Sequence, residues 1–289
     1  MVSMETVFSA VALVAAPFAG GLLMGVDRKI TARMQSRMGP PVLQPFYDVL
    51  KLWGKSPVIT SRLQPILAFG YLGFSFLSVA LLLFGGDLLS IVFTAALAEV
   101  CIVTVSMSAK SPYSYLGGRR ELFCMLSTEP LMILSALSIY IVTRSFIVEN
   151  VLTFEEPLLP LLPGAFIVTG IVLLIEMRKS PFDVSASSHA HQEIVRGVYT
   201  ELSGYTMALV EVGHWIRTVL VLSIASIFWA PNILVGWGLA LALLFMVILA
   251  DNAFPRLSWQ RMVKTSWALG FALIAANVLL LVVTGGATI

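Results

Sequence analysis

The chain has 289 residues, of which 58% are hydrophobic and only 12% charged, with a mean hydropathy of +0.92; soluble domains carry about twice that charge, so lipid is the expected solvent. A formal net charge of +2, with the basic residues spread over short connections, leaves no basic patch for nucleic acid. Cys101 and Cys124 both lie in apolar runs and fall short of the ligands of an iron–sulfur cluster or a structural zinc, so no cofactor is expected in this chain and any redox centre belongs on a partner.

Crossing a hydrocarbon core of roughly 30 Å takes about 20 helical residues. Eight segments meet that need, near 4–26, 64–85, 88–109, 121–143, 161–177, 203–228, 232–251 and 264–284. The expected fold is therefore all-α, a single integral membrane domain over 1–289 with long cytoplasmic loops after helices 1 and 5. The first segment has no basic residue ahead of it and is followed by Asp27, Arg28 and Lys29, the reverse of a signal peptide's charge order, so it reads as a retained helix. The fifth is short and follows the proline-punctuated stretch 155–163, which leaves seven or nine crossings open.

Eight crossings put both termini on one face and every basic residue except Arg144 and Arg217 on the other. By the positive-inside rule the basic face is cytoplasmic, the membrane is the cell membrane and the termini lie outside. The outer connections are short or acidic, as at Gly85-Gly86-Asp87, so chemistry belongs to the two long inner loops, 27–63 and 178–202. In the first, Phe46, Tyr47, Leu50, Leu52 and Trp53 alternate with charges after a proline-rich run, the pattern of an amphipathic interfacial helix. No internal repeat is visible, which weakens an inverted-repeat transporter.

Ionisable residues inside spans cost at least a few kcal/mol and default to a pathway or a partner. Glu99, Glu129 and Glu176 fall in the third, fourth and fifth spans, and Glu211, His214 and Arg217 recur every third residue along one stripe of the sixth. The expected role is a proton relay continued at the inner mouth by Asp183, Glu193 and Glu201. A static reading competes, in which Glu211 and Arg217 are packing partners and Glu176 lies at headgroup level. Pro130 after Glu129 frees a helical carbonyl that a hydrated path can use. His189 and His191, at i and i+2, share no helix face and have no third ligand nearby, so metal binding is not expected. Asp48 beside Lys51 reads as a local helix pair, and Trp53, Trp215, Trp229, Trp237, Trp259 and Trp267 as interfacial anchors or packing residues.

Two long motifs, in order and on the two inner loops, carry a resemblance. Gln35-Ser-Arg37-Met-Gly39-Pro40, with Gln44-Pro45-Phe-Tyr-Asp48 and Lys51-Leu52, resembles the first inner loop of the H-type membrane subunit of bacterial complex I and of its relatives in group 4 nickel–iron hydrogenases. Glu176, Arg178, Ser-Pro181-Phe182-Asp183, Glu193-Ile-Val, Gly197 and Glu201-Leu-Ser203-Gly204 resemble that family's second signature loop. Only Pro41-Val42-Leu43 separates Gly-Pro from Gln-Pro, and the second loop reads His189-Ala-His191 where quinone-reducing members are more acidic. Both departures resemble the Ech-type and CO-linked energy-converting hydrogenases.

The resemblance implies a non-redox membrane subunit, inert alone, that anchors hydrogenase large and small subunits and a ferredoxin-like iron–sulfur subunit beside an antiporter-like membrane subunit. The nickel–iron centre and the [4Fe–4S] clusters sit on those partners, where electrons from ferredoxin reduce protons to hydrogen. Arg33, Gln35, Arg37, Gly39, Pro40, Gln44, Pro45, Asp48, Arg178, Pro181, Phe182, His189 and His191 are the expected docking-loop residues, with topology anchoring the blander role for the arginines. A quinone-binding complex I subunit and a free-standing transporter are the competing readings.

Overall fold

The computed structural model describes residues 4–183 and 194–283. These are helical throughout apart from turns and two isolated β-bridges. The helices are α1 (Met4–Met34), α2 (Gln44–Trp53), α3 (Leu63–Leu83), α4 (Leu88–Ser108), α5 (Pro112–Thr143), α6 (Val148–Leu152), α7 (Leu158–Leu161), α8 (Pro163–Glu176), α9 (Tyr205–Ile227), α10 (Ile233–Ala253) and α11 (Trp259–Val283). Among the described residues seven helices are long and apolar enough to cross a membrane, as an all-α polytopic membrane protein requires.

The fifth expected segment, near 161–177, differs. Its helix, α8, has 14 residues, about 21 Å at 1.5 Å per residue, and so falls short of a roughly 30 Å core. Its two ends nevertheless reach opposite ends of the bundle. Before it, Leu159 N–H donates to the Phe228 carbonyl at 2.9 Å, just past the C-terminus of α9. After it, Lys179 meets Asp27 near the end of α1 and Asp251 near the end of α10. The chain completes the crossing without a helix: Met177, Lys179, Ser180, Phe182 and Asp183 are all buried, and irregular backbone at such depth survives only where protein covers it.

Two further boundaries moved. α1 runs past residue 26 to Met34 and α5 begins at Pro112 rather than 121, because both helices project beyond the apolar run that marked them in the sequence. The α1 and α11 ends share one end of the bundle: Ser9 Oγ donates to the Leu83 carbonyl at 2.9 Å, and Asn277 Oδ1 accepts from Gly164 N–H at 3.0 Å.

Helix α9 is the axis. Most of its length is buried, whereas α1, α10 and α11 present long apolar faces outward. It packs against α3, α10, α1, α8 and α2. Close approach comes from small residues: a Cβ on Gly213 would lie 2.5 Å from the fully buried Tyr71 ring on α3. Helix α2 leaves Tyr47, Leu50 and Trp53 exposed along one side, while Phe46 turns inward against Trp215 with ring centroids 5.3 Å apart. Trp215, 4% exposed, is thus a packing residue.

Candidate functional site

At mid-depth Arg217 of α9 holds two carboxylates at once. Its Nε donates to Glu176 Oε1 at 2.7 Å and its Nη2 to Glu176 Oε2 at 3.1 Å; the same Nη2 lies 3.0 Å from Glu99 Oε1. Nη1 donates to the Ala95 carbonyl at 2.5 Å, one helical turn before Glu99 on α4. All three side chains are under 10% exposed. A planar guanidinium with five donors suits this forked arrangement, which a lysine cannot reproduce. Each charge alone would face a desolvation penalty of several kcal/mol; the close pairing offsets it.

Two small cavities flank the clamp, each about 10 Å³, roughly the room one water needs. Glu129 does not bond Arg217 directly but shares the first cavity with Arg217, Glu176 and Thr128. The second is lined by Glu99, Glu121, Cys124, Thr128, Glu176 and Arg178. Glu121, 4% exposed, pairs with Arg178 at 3.8 Å. The sequence reading missed it because residue 121 stood at the expected helix start. One signal was available: Glu121 and Glu129 are eight apart, two turns along one face of a helix.

Below this cluster, at the basic end, lies a cavity of about 650 Å³ between α1, α2, the segment after α8 and the start of α9. Glu211, His214, Arg178, Tyr199, Asp27 and Lys179 all reach it. The predicted stripe on α9 is thereby divided. Glu211 pairs with Arg196 at 3.7 Å and opens to the cavity with His214, while Arg217 turns to the clamp; Glu211 and Arg217 are not partners. The His214 Nδ1 atom is buried and has no hydrogen-bond partner among the described residues.

Lys179 bridges Asp27 at 2.9 Å and Asp251 at 3.0 Å, and Ser180 N–H donates to Asp251 Oδ1 at 2.8 Å. Burial opposes the ammonium charge, and the two carboxylates compensate it. This trio ties the segment after α8 to α1 and α10. Nothing in the sequence reading joined these three residues.

The remaining predicted residues fall as follows. Asp183 receives Arg120 at 3.4 Å. Glu201 is half-buried, and its carbonyl accepts from Gln64 Nε2 at 2.6 Å. Glu176, the last residue of α8, is buried against Arg217. Asp48 bonds Arg28 at 2.8 Å and Gln44 at 2.9 Å, which replaces the local pair expected with Lys51. Arg33, Gln35 and Arg37 are exposed at the end of α1, where Gln35 Nε2 donates to Asn252 Oδ1 at 3.1 Å. Gly39 has φ +70° and no room for a Cβ beside Ala32, so it shapes the turn between α1 and α2 along with Pro40, and Pro45 is buried at the start of α2. Pro181 and Phe182 pair with Leu257. His189, His191 and Glu193 lie outside the described residues. Among the described residues no three His, Cys, Asp or Glu side chains are grouped to hold a metal ion.

A helical membrane bundle closed around a charged clamp, with a polar cavity at its basic end, defines a polytopic protein whose core is built for charge rather than for packing alone. The family model described as NADH dehydrogenase matches residues 7–282, and the chain belongs to that family. It is similar to hydrogenase-4 component C of Escherichia coli, 30% identical with 88% of this chain and 89% of the relative covered. It is 27% identical to formate hydrogenlyase subunit 4 of the same organism, covering 88% and 92%. The H-type membrane component of the NADH-quinone oxidoreductase of Syntrophotalea carbinolica is 26% identical, over 88% and 87%. In fold it matches a chain from the membrane-bound sulfane sulfur reductase, an archaeal respiratory membrane complex, at TM-score 0.82 and 23% identity over 96% and 99% of the two chains. The chain is accordingly a multi-pass membrane subunit of a complex I-related assembly and works with partner subunits.

Proposed function

We propose that the chain is the membrane-anchoring, coupling subunit of an energy-converting, ferredoxin-dependent nickel–iron hydrogenase, linking electron transfer in a soluble arm to translocation of protons or sodium ions. The observation that carries this reading is the double clamp of Glu99 and Glu176 on Arg217, with Glu129 one water-sized cavity away. A lone arginine–glutamate pair would serve packing; a second carboxylate on the same guanidinium makes a site whose proton occupancy answers to neighbouring charge. At several ångströms and an effective dielectric of about 20, one added charge shifts such a group by a few kcal/mol, more than one pKa unit. The shortened first loop and the likeness to hydrogenase components favour the hydrogenase form.

In this reading the basic end faces the cytoplasm and receives the large, small and ferredoxin-like subunits, which hold the nickel–iron centre and [4Fe–4S] clusters, while an antiporter-like subunit lies alongside in the cell membrane. Charge changes in the arm act first on Arg178, Asp183, Glu193, Glu201 and Glu211, then on Glu176, Glu99 and Glu129. A quinone-binding role has one observation in its favour, the 650 Å³ cavity, which is in the size range of ligand sites. Its lining of Asp27, Arg28, Asp48, Lys51, Arg178 and Glu211 suits water better than an apolar ring and tail.

The test is mild detergent extraction followed by reconstitution of the intact complex. A cysteine-rich nickel–iron pair should co-purify, and Glu129→Gln or Glu176→Gln should lower the ions moved per electron at least severalfold while hydrogen evolution persists, as expected when a route carrier loses its proton. A chain that purifies alone, or variants that evolve hydrogen and translocate at the wild-type ratio, would refute the reading.

A further inference from the structure

The wide cavity and the small cavity beside the buried carboxylates have a lining residue in common. Among the described residues Arg178 alone lines both the 650 Å³ cavity and the 10 Å³ cavity holding Glu99, Glu121, Glu176 and Cys124. Its guanidinium lies 4.7 Å from the Tyr199 ring on the cavity side and 3.8 Å from Glu121 on the buried side. The side chain is 12% exposed, and its backbone is left-handed, with φ +59°. A non-glycine residue there is strained and persists only when its surroundings impose it.

We propose that Arg178 is the gate between the polar cavity and the buried carboxylates, closed while its guanidinium rests between Glu121 and Tyr199 and open when it swings into the wide cavity. This rests on the reading of those carboxylates as a translocation route and adds Glu121 to it as the first acceptor behind the gate. Three features converge on the assignment. Arg178 is the one described residue that lines both spaces. Its positive charge opposes passage of a hydronium or sodium ion until it moves. Its contact with Glu121, at 3.8 Å, is beyond direct hydrogen-bond length, and its contact with Tyr199 is to a ring face that fixes no single donor direction. A tight bidentate pair such as the one Arg217 makes would suit a fixed strut.

Cys124, 7% exposed and on the far side of Arg178, is a native reporter of the gate. The complex, or the full chain in detergent, is exposed to methanethiosulfonate ethylammonium, a small water-soluble cation, and modification of Cys124 is followed by peptide mass spectrometry. Wild type should react slowly, Arg178→Ala roughly tenfold faster, and Arg178→Lys close to wild type, since thiol reactivity follows access. Glu121→Gln releases the guanidinium from its carboxylate, so it should also speed labelling and stands in where Arg178→Ala does not fold. Equal rates in wild type and in the folded variants, whether all slow or all fast, overturn the gate. The assay reads access and not pumping. A complex that pumps while Cys124 stays closed in Arg178→Ala refutes the gate alone, and a gate that opens in a chain with no redox partners refutes the coupling function alone.

Discussion

Lys179 and Asp48 show how depth decides the worth of an ion pair. The Arg28–Asp48 pair is nearly half exposed, where such contacts contribute at most about 1 kcal/mol. Burial works against the Asp48 carboxylate, but Arg28 and Gln44 hold its pKa below the ordinary 3.8, so its small contribution is present above about pH 4 and lost as pH falls through the folded value. Lys179 is different. Both of its carboxylate partners are buried with it, and removing one member of such a group costs about 3–5 kcal/mol because the rest is left uncompensated. Lys179→Met should therefore lower the unfolding temperature in detergent markedly at pH 7; an unchanged value would show that Asp27 and Asp251 are solvated or protonated.

Among the elements, α9 takes the central place because its small and apolar residues allow neighbours on every side. At Gly213 an added Cβ would lie 2.5 and 2.6 Å from two atoms of the Tyr71 ring, and that ring is fully buried. Overpacking of this kind costs about 1–3 kcal/mol. Gly213→Ala should push α3 from α9 and lower the unfolding temperature. Gly238→Ala on α10, where a Cβ meets nothing within 4 Å, should be neutral or slightly stabilising through helix propensity. Equal effects at the two sites would contradict the packing assigned to α9. Helix α8 is the complementary case, a short apolar rod that ends inside the bundle and hands the chain to a buried, ion-paired segment. That discontinuity brings Glu176, Arg178 and Lys179, within four residues, to three different charged clusters.

For the whole molecule, the short α8 raises a question of topology that the contacts at its two ends answer: the chain crosses. Cysteine reporters at Glu155 and Thr200, both exposed and on either side of α8, should react with an impermeant thiol reagent from opposite faces of sealed vesicles when Cys101 and Cys124 are replaced by serine. Labelling of both from one face would make α8 a re-entrant hairpin and the bundle seven-crossing. The shared end of α1 and α11 likewise follows from contacts at Leu83 and Gly164, and an even number of crossings is what permits it.

Hydropathy and the cost of charge in lipid made much of this protein legible in one dimension. The long apolar runs located seven spans and the place of α8. The rarity of ionisable residues within such runs picked out Glu99, Glu129, Glu176 and Arg217, since burying an isolated charge is too costly to be incidental. The partners of those charges were not legible. Spacing along α9 suggested Glu211, His214 and Arg217 as one group, but a pairing depends on distances of about 3 Å between helices, and only packing sets those. Tertiary structure thus gave Arg217 to Glu176 and Glu99, left Glu211 and His214 on the cavity, joined Lys179 to Asp27 and Asp251, and buried Glu121 two turns inside a helix that starts earlier than its apolar run. Composition fixes which groups must find partners out of water; the fold alone decides which partners come within reach.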